Sequence, residues 1–261
     1  MGVKVIKVGT GSITRDKRYF NLGVMDDIAH QTAALKAEGH EVMVVTSGAM
    51  GAGRMALGLT GNGEPLAVKQ ALAMAGQPGL IAAWVQVFAQ HGLVVGQGLL
   101  EGRHFSLDEA MTNLKNVLGV LRHEPAFRPV VPVFNENDVV ATKELKFGDN
   151  DELAARLAMF LEAEELFLLT GAKGLFTNYG TADARLIGCV DVAREPVPDV
   201  GGAKSDVGSG GPASKAKWAH ETALSGVRVH VIDAERRGGV LEILRGQRHG
   251  TLFAKWPQSG R

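Results

Sequence analysis

Pro129-Val130-Val131-Pro132-Val133-Phe134 is an apolar run that gives way at once to FNENDVVATKELKFGDND, spanning Phe134 to Asp151. The run is short and β-branched, and reads as a buried strand. Behind it stand Asn135, Glu136, Asn137 and Asp138, and after a gap Gly148, Asp149, Asn150 and Asp151. A polar turn with a helix cap at Asp149 or Asn150, opening a helix from Glu152, accounts for the second cluster. It accounts poorly for both clusters around one strand exit. Ligands of open α/β sheets sit outside the carboxyl ends of the strands, which makes this exit a candidate binding edge.

Three further strands leave through chemistry of the same kind. Val3–Val8 alternates and exits into Lys7-Val8-Gly9-Thr10-Gly11-Ser12, where glycines let backbone N–H groups approach a ligand. A solvated Lys7 beside an ordinary glycine turn explains that segment equally well on local grounds. Glu41–Val45 exits into Thr46-Ser47-Gly48-Ala49-Met50-Gly51-Ala52-Gly53, a small-residue loop opening a helix, where an anion, phosphate or carboxylate, is favoured. Glu165–Thr170 ends at Thr170-Gly171. Between the strands, helical spacing runs over 21–38, closed by Gly39, over 64–90 with a break expected near Gly76-Gln77-Pro78-Gly79, over 107–121 and over 152–162. Leu93–Leu100 and Arg128–Phe134 are strands three and four, Leu186–Val192 reads as an edge strand, and 193–206 as a loop. Pro212 suits the first position of a helix reaching Ser225, which places Lys215 one turn in. Val227–Ile232, a short helix 240–244 and a closing strand 251–253 complete the chain. The β-α alternation predicts an α/β fold with a parallel sheet covered on both faces, and in such a sheet the four exits share one edge.

Bulk properties narrow the class. The 261 residues are 45% hydrophobic and 21% charged, enough for one large α/β domain or two lobes. Lys+Arg and Asp+Glu balance at 28 each, so neither a nucleic-acid footprint nor a membrane patch is expected. A single cysteine, Cys189, excludes a disulfide framework and a cysteine metal site and fits a reducing, cytoplasmic setting. The histidines lack HExxH spacing, the amino terminus runs straight into a strand without a signal-peptide core, Ile6 breaks a myristoylation pattern, and no membrane-spanning run is read. The 34 glycines gather at strand exits, a first sign of phosphate chemistry.

The inventory at the shared edge is glycine loops, Lys7, Lys215, Ser47, Asp138, Asn150 and Asp151, with no evident nucleophile–base pair. Phosphoryl transfer to a carboxylate needs none, because the acceptor has no proton to lose at neutral pH. GxxxxGK[ST] is absent. Two stretches, Gly51–Ala56 and Gly208–Ala213, match the loose GxGxx[GA] pattern. The first lacks the acidic strand end that a dinucleotide site places about 20 residues later, and the second follows no strand, so a nicotinamide site is the minor alternative.

The motifs in order, VIKVGTG at Val5, VVTSGAMGAG at Val44, VKQALAMAGQ at Val68, FNENDVV at Phe134, FGDND at Phe147, LLTGAKGLFT at Leu168, GSGGPASK at Gly208 and GTLF at Gly250, resemble those of the glutamate 5-kinases of the amino acid kinase family over nearly the whole chain. The resemblance implies a three-layer αβα sandwich around a mainly parallel sheet. It implies a single domain whose residues 1–165 bind the amino acid and 166–261 the nucleotide. The implied reaction is ATP-dependent phosphorylation of the L-glutamate side-chain carboxylate, the first step toward proline; the alternatives are a kinase of the same fold for another small acidic amino acid or carboxylate, and a non-catalytic amino-acid-binding homologue with an altered nucleotide loop. Lys7 and Lys215 would bind ATP phosphates and stabilise the transferring group, with Gly9 and Gly48 lending N–H groups. Ser47, Asp138 and Asn150 would hold the amino acid, Asn135 and Asp149 would shape its pocket, and Asp151 would orient the lysines. Thr170, Gly171 and the loop Ser209, Gly210, Gly211, Pro212, Ala213, Ser214 and Lys215 would line the nucleotide. Mg²⁺ would accompany ATP, with no protein metal ligand assigned. Proline would compete at the amino-acid pocket, and a homodimer or homotetramer would form.

The departures from that pattern lie on the nucleotide side. Gly171 replaces an aspartate, Asn178-Tyr179 follows Thr177 where Asp-Pro is usual, and Pro212 and Ser214 replace Met and Thr. Pro212 is expected to remove one N–H from the phosphate loop. The family's frequent C-terminal PUA domain is not expected, the chain ending soon after Phe253.

Overall fold

The computed structural model describes residues 2–15, 18–61, 64–141, 150–201 and 211–256. Its main sheet has eight strands: β1 (Val3–Val8), β2 (Glu41–Val45), β3 (Val94–Leu100), β4 (Val130–Glu136), β5 (Glu165–Thr170), β6 (Cys189–Asp191), β7 (Arg228–Asp233) and β8 (Thr251–Ala254). The helices are α1 (Leu22–Ala37), α2 (Ala49–Leu57), α3 (Leu66–Ala89), α4 (Asp108–His123), α5 (Asn150–Phe160), α6 (Pro212–Leu224) and α7 (Gly239–Leu244), with a single turn at Thr10–Ile13. Strand order is β6-β8-β7-β5-β1-β2-β4-β3. All neighbours are parallel except β7 and β8, so the sheet is mainly parallel with an antiparallel margin. Residues up to 136 supply β1 to β4 and those from 165 onward β5 to β8. The two halves join through β1 and β5, in register from Lys4↔Glu165 to Val8↔Leu169.

β1 is the middle of the molecule, and all six of its residues are buried, as a strand covered on both faces requires. Alternation assigns its side chains. Ile6 and Val8 join Met25 and Ile28 of α1 and Leu80, Trp84 and Phe88 of α3. Val3 and Val5 join Leu153 and Leu157 of α5 and Ala216 and Ala219 of α6. Helices therefore cover both faces, giving a three-layer αβα sandwich. Lys7 follows Val3 and Val5 onto the α5–α6 face by the period of two.

Three details differ from the sequence reading. α3 runs unbroken through Gly76–Gly79, with Pro78 inside it. Proline removes one helical bond, but the α2–α3 packing prevails: a Cβ on Gly76 would stand 2.0 Å from the Ala49 carbonyl oxygen, and one on Gly53 1.9 Å from that of Leu72. Gly53, in the first GxGxx[GA] match, thus serves helix contact. α3 is also the one described helix long and apolar enough to span a bilayer, yet its large side chains Leu72, Leu80, Trp84 and Phe88 are buried in the fold. Segment 186–192 divides: Leu186 belongs with Arg185 to a hairpin with Phe176–Thr177, and only Cys189–Asp191 forms the edge strand. β4 extends beyond Phe134, since Asn135 and Glu136 pair with Leu99 and Leu100. Those two polar residues are consequently buried in the sheet rather than loose in a loop.

Candidate active site

The parallel registers Lys7↔Val45, Val45↔Phe134 and Val8↔Leu169 bring the four strand exits to one edge. α5 starts there, and its first two residues face different partners. Asp151 has no solvent exposure and lies between two ammonium groups, Lys7 Nζ at 2.5 Å from Oδ1 and Lys215 Nζ at 2.8 Å from Oδ2. Lys7 comes from β1 and Lys215 from the first turn of α6; both are buried. Burial pushes the Asp151 carboxyl up, but the charges of Lys7 and Lys215 and their hydrogen bonds outweigh it and bring the pKa from 3.8 to about 2. The position at the start of α5 also suits a negative charge.

Asn150 turns to the other side of the edge. Its Nδ2 donates to Ser47 Oγ at 2.9 Å and to Asn135 Oδ1 at 3.0 Å. Asn135 in turn donates from Nδ2 to Gln77 Oε1 of α3 at 2.8 Å. One helix start thus joins a cationic pair to a line of amides and a hydroxyl. The Ser47–Gly48 turn is braced from behind: Trp84 Nε1 donates to Thr46 Oγ1 at 2.9 Å, and Thr46 Oγ1 donates to the Ser47 carbonyl. Gly48 has φ +110°, where a side chain would be strained.

The remaining candidates take these places. Gly9 precedes the turn Thr10–Ile13, and a Cβ there would lie 3.8 Å from Lys7 Nζ. Asp138 opens the turn after β4. Thr170 ends β5 opposite Asp233, and its carbonyl accepts the Ala234 N–H. Gly171 is exposed, with open space around an added Cβ. Gly211 caps α6, whose first position is Pro212, followed by Ala213, Ser214 and Lys215. Proline at that position gives up an N–H that has no intrahelical acceptor. Asp149, Ser209 and Gly210 lie outside the described residues. Gln77, Thr46 and Trp84 had no assigned role from the sequence. The only local sign of Gln77 was its place beside Gly76 in a helix that nears the strand edge.

A profile of the amino acid kinase family matches residues 2–233. A glutamate 5-kinase of Pelobacter propionicus is 36% identical over 252 residues, covering 95% of this chain and 66% of that protein. Glutamate 5-kinase 2 of Pseudoalteromonas translucida is 38% identical, covering 99% and 71%. The chain thus spans about two thirds of the length of these relatives. A shorter relative, the glutamate 5-kinase of Clostridium acetobutylicum, is 34% identical, with 95% and 93% covered. Among solved structures, a T. acidophilum isopentenyl phosphate kinase superposes with a TM-score of 0.68 at 18% identity, covering 96% of this chain and 99% of that one. An N-acetylglutamate synthase from Neisseria gonorrhoeae does so at 0.68 and 15% identity, covering 98% and 60%. These two share the fold. With the family profile over most of its length, the αβα sandwich and relatives at this identity, the chain belongs to the amino acid kinase family.

Proposed function

We propose that the chain is a glutamate 5-kinase, transferring the γ-phosphoryl group of MgATP to the side-chain carboxylate of L-glutamate to give γ-glutamyl phosphate, the first step toward proline. The observation that carries the reading is Asp151 held between Lys7 and Lys215, next to the Asn150 amide line. A carboxylate oxygen forms the new bond to phosphorus, the bond to the β-phosphate oxygen breaks, and ADP leaves. No proton is removed from the acceptor, so the chain's work is positioning and charge stabilisation. Lys7 and Lys215 meet the phosphoryl oxygens, and Asp151 keeps both ammoniums charged and aimed. Ser47, Asn135, Asp138, Asp149 and Asn150 hold the amino acid, with Gly48 lending an N–H. Gly9, Thr170, Gly171 and residues 209–215 line the nucleotide, where the start of α6 attracts phosphate. Among the described residues no group of three His, Cys, Asp or Glu side chains is placed to hold a metal. Mg²⁺ enters with ATP, whose phosphate oxygens and water supply its ligands. The same reading includes proline as a competing ligand of the amino-acid pocket, assembly as a homodimer or homotetramer, and a cytoplasmic setting.

The test is glutamate-dependent ADP release with MgATP, the acyl phosphate being trapped by hydroxylamine. Lys215→Ala should lower turnover by about 10²-fold or more, as loss of one transition-state donor does. A wild-type protein that forms no hydroxamate, or a Lys215→Ala variant of full activity, refutes the assignment.

A further inference from the structure

The line of side chains across the binding edge has a direction, and Asn135, held at both ends of its amide by the Glu136 backbone and by Gln77, sets it. The Glu136 N–H donates to Asn135 Oδ1 at 2.9 Å. A backbone N–H can only donate, so the Asn135 amide must present its oxygen there and its NH₂ on the other side. That NH₂ meets Gln77, which must answer with Oε1 at 2.8 Å. Asn135 Oδ1 also receives Asn150 Nδ2, and the second hydrogen of the same NH₂ goes to Ser47 Oγ. Both Asn150 donors are thereby used, which turns its Oδ1 outward. Two atoms are left over at the ends of the line. Among the described residues, Asn150 Oδ1 and Gln77 Nε2 are shielded from solvent and have no hydrogen-bond partner. One is an acceptor and the other a donor. An α-amino acid carries the opposite pair, an ammonium that only donates and a carboxylate that only accepts. The plain dicarboxylate of the same length, glutarate, has no group for the acceptor.

We propose that Gln77 is a positioning residue that makes this site select an α-amino acid over the matching dicarboxylate, by holding Asn135, and through it Asn150, in a single amide orientation. The proposal rests on the reading of this edge as the amino-acid pocket. Gln77 lies on α3, distant in sequence from every residue assigned to that pocket, and Gly76 beside it fixes the helix against α2 by backbone contact. The Gln77 side chain is therefore delivered to Asn135 by a rigid element, as a specificity device requires. Discrimination of this sort is strong because a buried polar group left unanswered penalises the wrong ligand.

Calorimetric titration of the full chain with L-glutamate and with glutarate tests it. The wild type should bind glutamate at least about tenfold more tightly, one charge-assisted hydrogen bond being of that order. Gln77→Met keeps the length of the side chain and removes the acceptor for Asn135 Nδ2; the preference should fall about tenfold. Gln77→Glu retains the acceptor for Asn135 but loses Nε2 and adds a negative charge, so both ligands should bind more weakly while the preference for glutamate stays at or above the wild-type ratio. Affinity for MgATP should be the same in all three proteins, which a general loss of structure would not allow. Gln77→Ala replaces Gln77→Met with the same readout if the latter folds poorly. A wild type that binds the two ligands equally, or binds neither, overturns the proposal, as does a Gln77→Met or Gln77→Ala variant with the wild-type ratio. Turnover is read separately. Preference for glutamate without ADP release refutes the kinase and leaves Gln77 its role; turnover with an unaltered ratio in the variant does the reverse.

Discussion

Replacing Asp151 by asparagine removes the charge at the centre of the edge and little else. In the folded chain the carboxylate is fully buried, 2.5 and 2.8 Å from two ammonium groups. Its pKa is brought down from 3.8 to about 2, a preference for the ionised form of roughly 2 kcal/mol. Because the folded value is the lower one, this stabilisation is complete above the unfolded value of 3.8 and disappears as pH falls through about 2. It is level across neutral pH. Asp151→Asn should therefore cost at least that amount at pH 7, and about 3–5 kcal/mol if neither lysine relaxes, since one member of a buried, hydrogen-bonded charge cluster is removed. The difference from the wild type should shrink as pH falls below 3.8 and the wild-type carboxyl takes up its proton. Urea denaturation of both proteins at several pH values measures the effect, with γ-glutamyl hydroxamate formation followed in parallel. An Asp151→Asn protein within about 1 kcal/mol of wild type at pH 7, or a difference that does not shrink in acid, refutes the view that this carboxylate is the counter-charge of a rigid triad.

Two further substitutions test packing around the site. Gly76→Ala forces a methyl group to within 2.0 Å of the Ala49 carbonyl oxygen and should separate α2 from α3, costing about 3 kcal/mol or more; thermal unfolding checks it, and a neutral result refutes the close helix contact. Gly171→Asp adds a side chain where nothing stands within 4 Å of the new Cβ, so stability should change by no more than about 0.5 kcal/mol. The same unfolding measurement decides, and a clear destabilisation would show that the end of β5 has no room for the aspartate usual in the family.

How much of this was legible along the chain depends on how local each signal is. β1, β2 and β5 were read with the bounds they have, because a short buried apolar run between polar residues reports strand and burial together. The parallel sheet followed from β-α alternation, and with it the gathering of the exits after Val8, Val45, Phe134 and Leu169. Lys7, Ser47, Asn135, Asn150, Asp151 and Lys215 could be nominated because each sits at such an exit or at a helix start. Local signals failed where two elements impose on each other. The break expected at Gly76–Gly79 does not occur, since a glycine read as a breaker is the contact surface of a helix. Asn135 and Glu136 were placed in a loop, though pairing with β3 draws them into the sheet.

The nature of the site, as distinct from its inventory, arises from contacts between distant residues. Lys7 and Asp151 are 144 positions apart, Lys215 and Asp151 64, and Asn135 and Gln77 58. Residue types and spacing specify which groups reach the edge, because strand and helix periods decide which face each side chain takes. They do not specify which end of an amide, oxygen or NH₂, meets a given partner, or that two lysines share one carboxylate. Those properties come from burial: away from water every donor must find an acceptor and every charge its counter-charge, and the partners are those that the sheet order and the helix packing bring within reach.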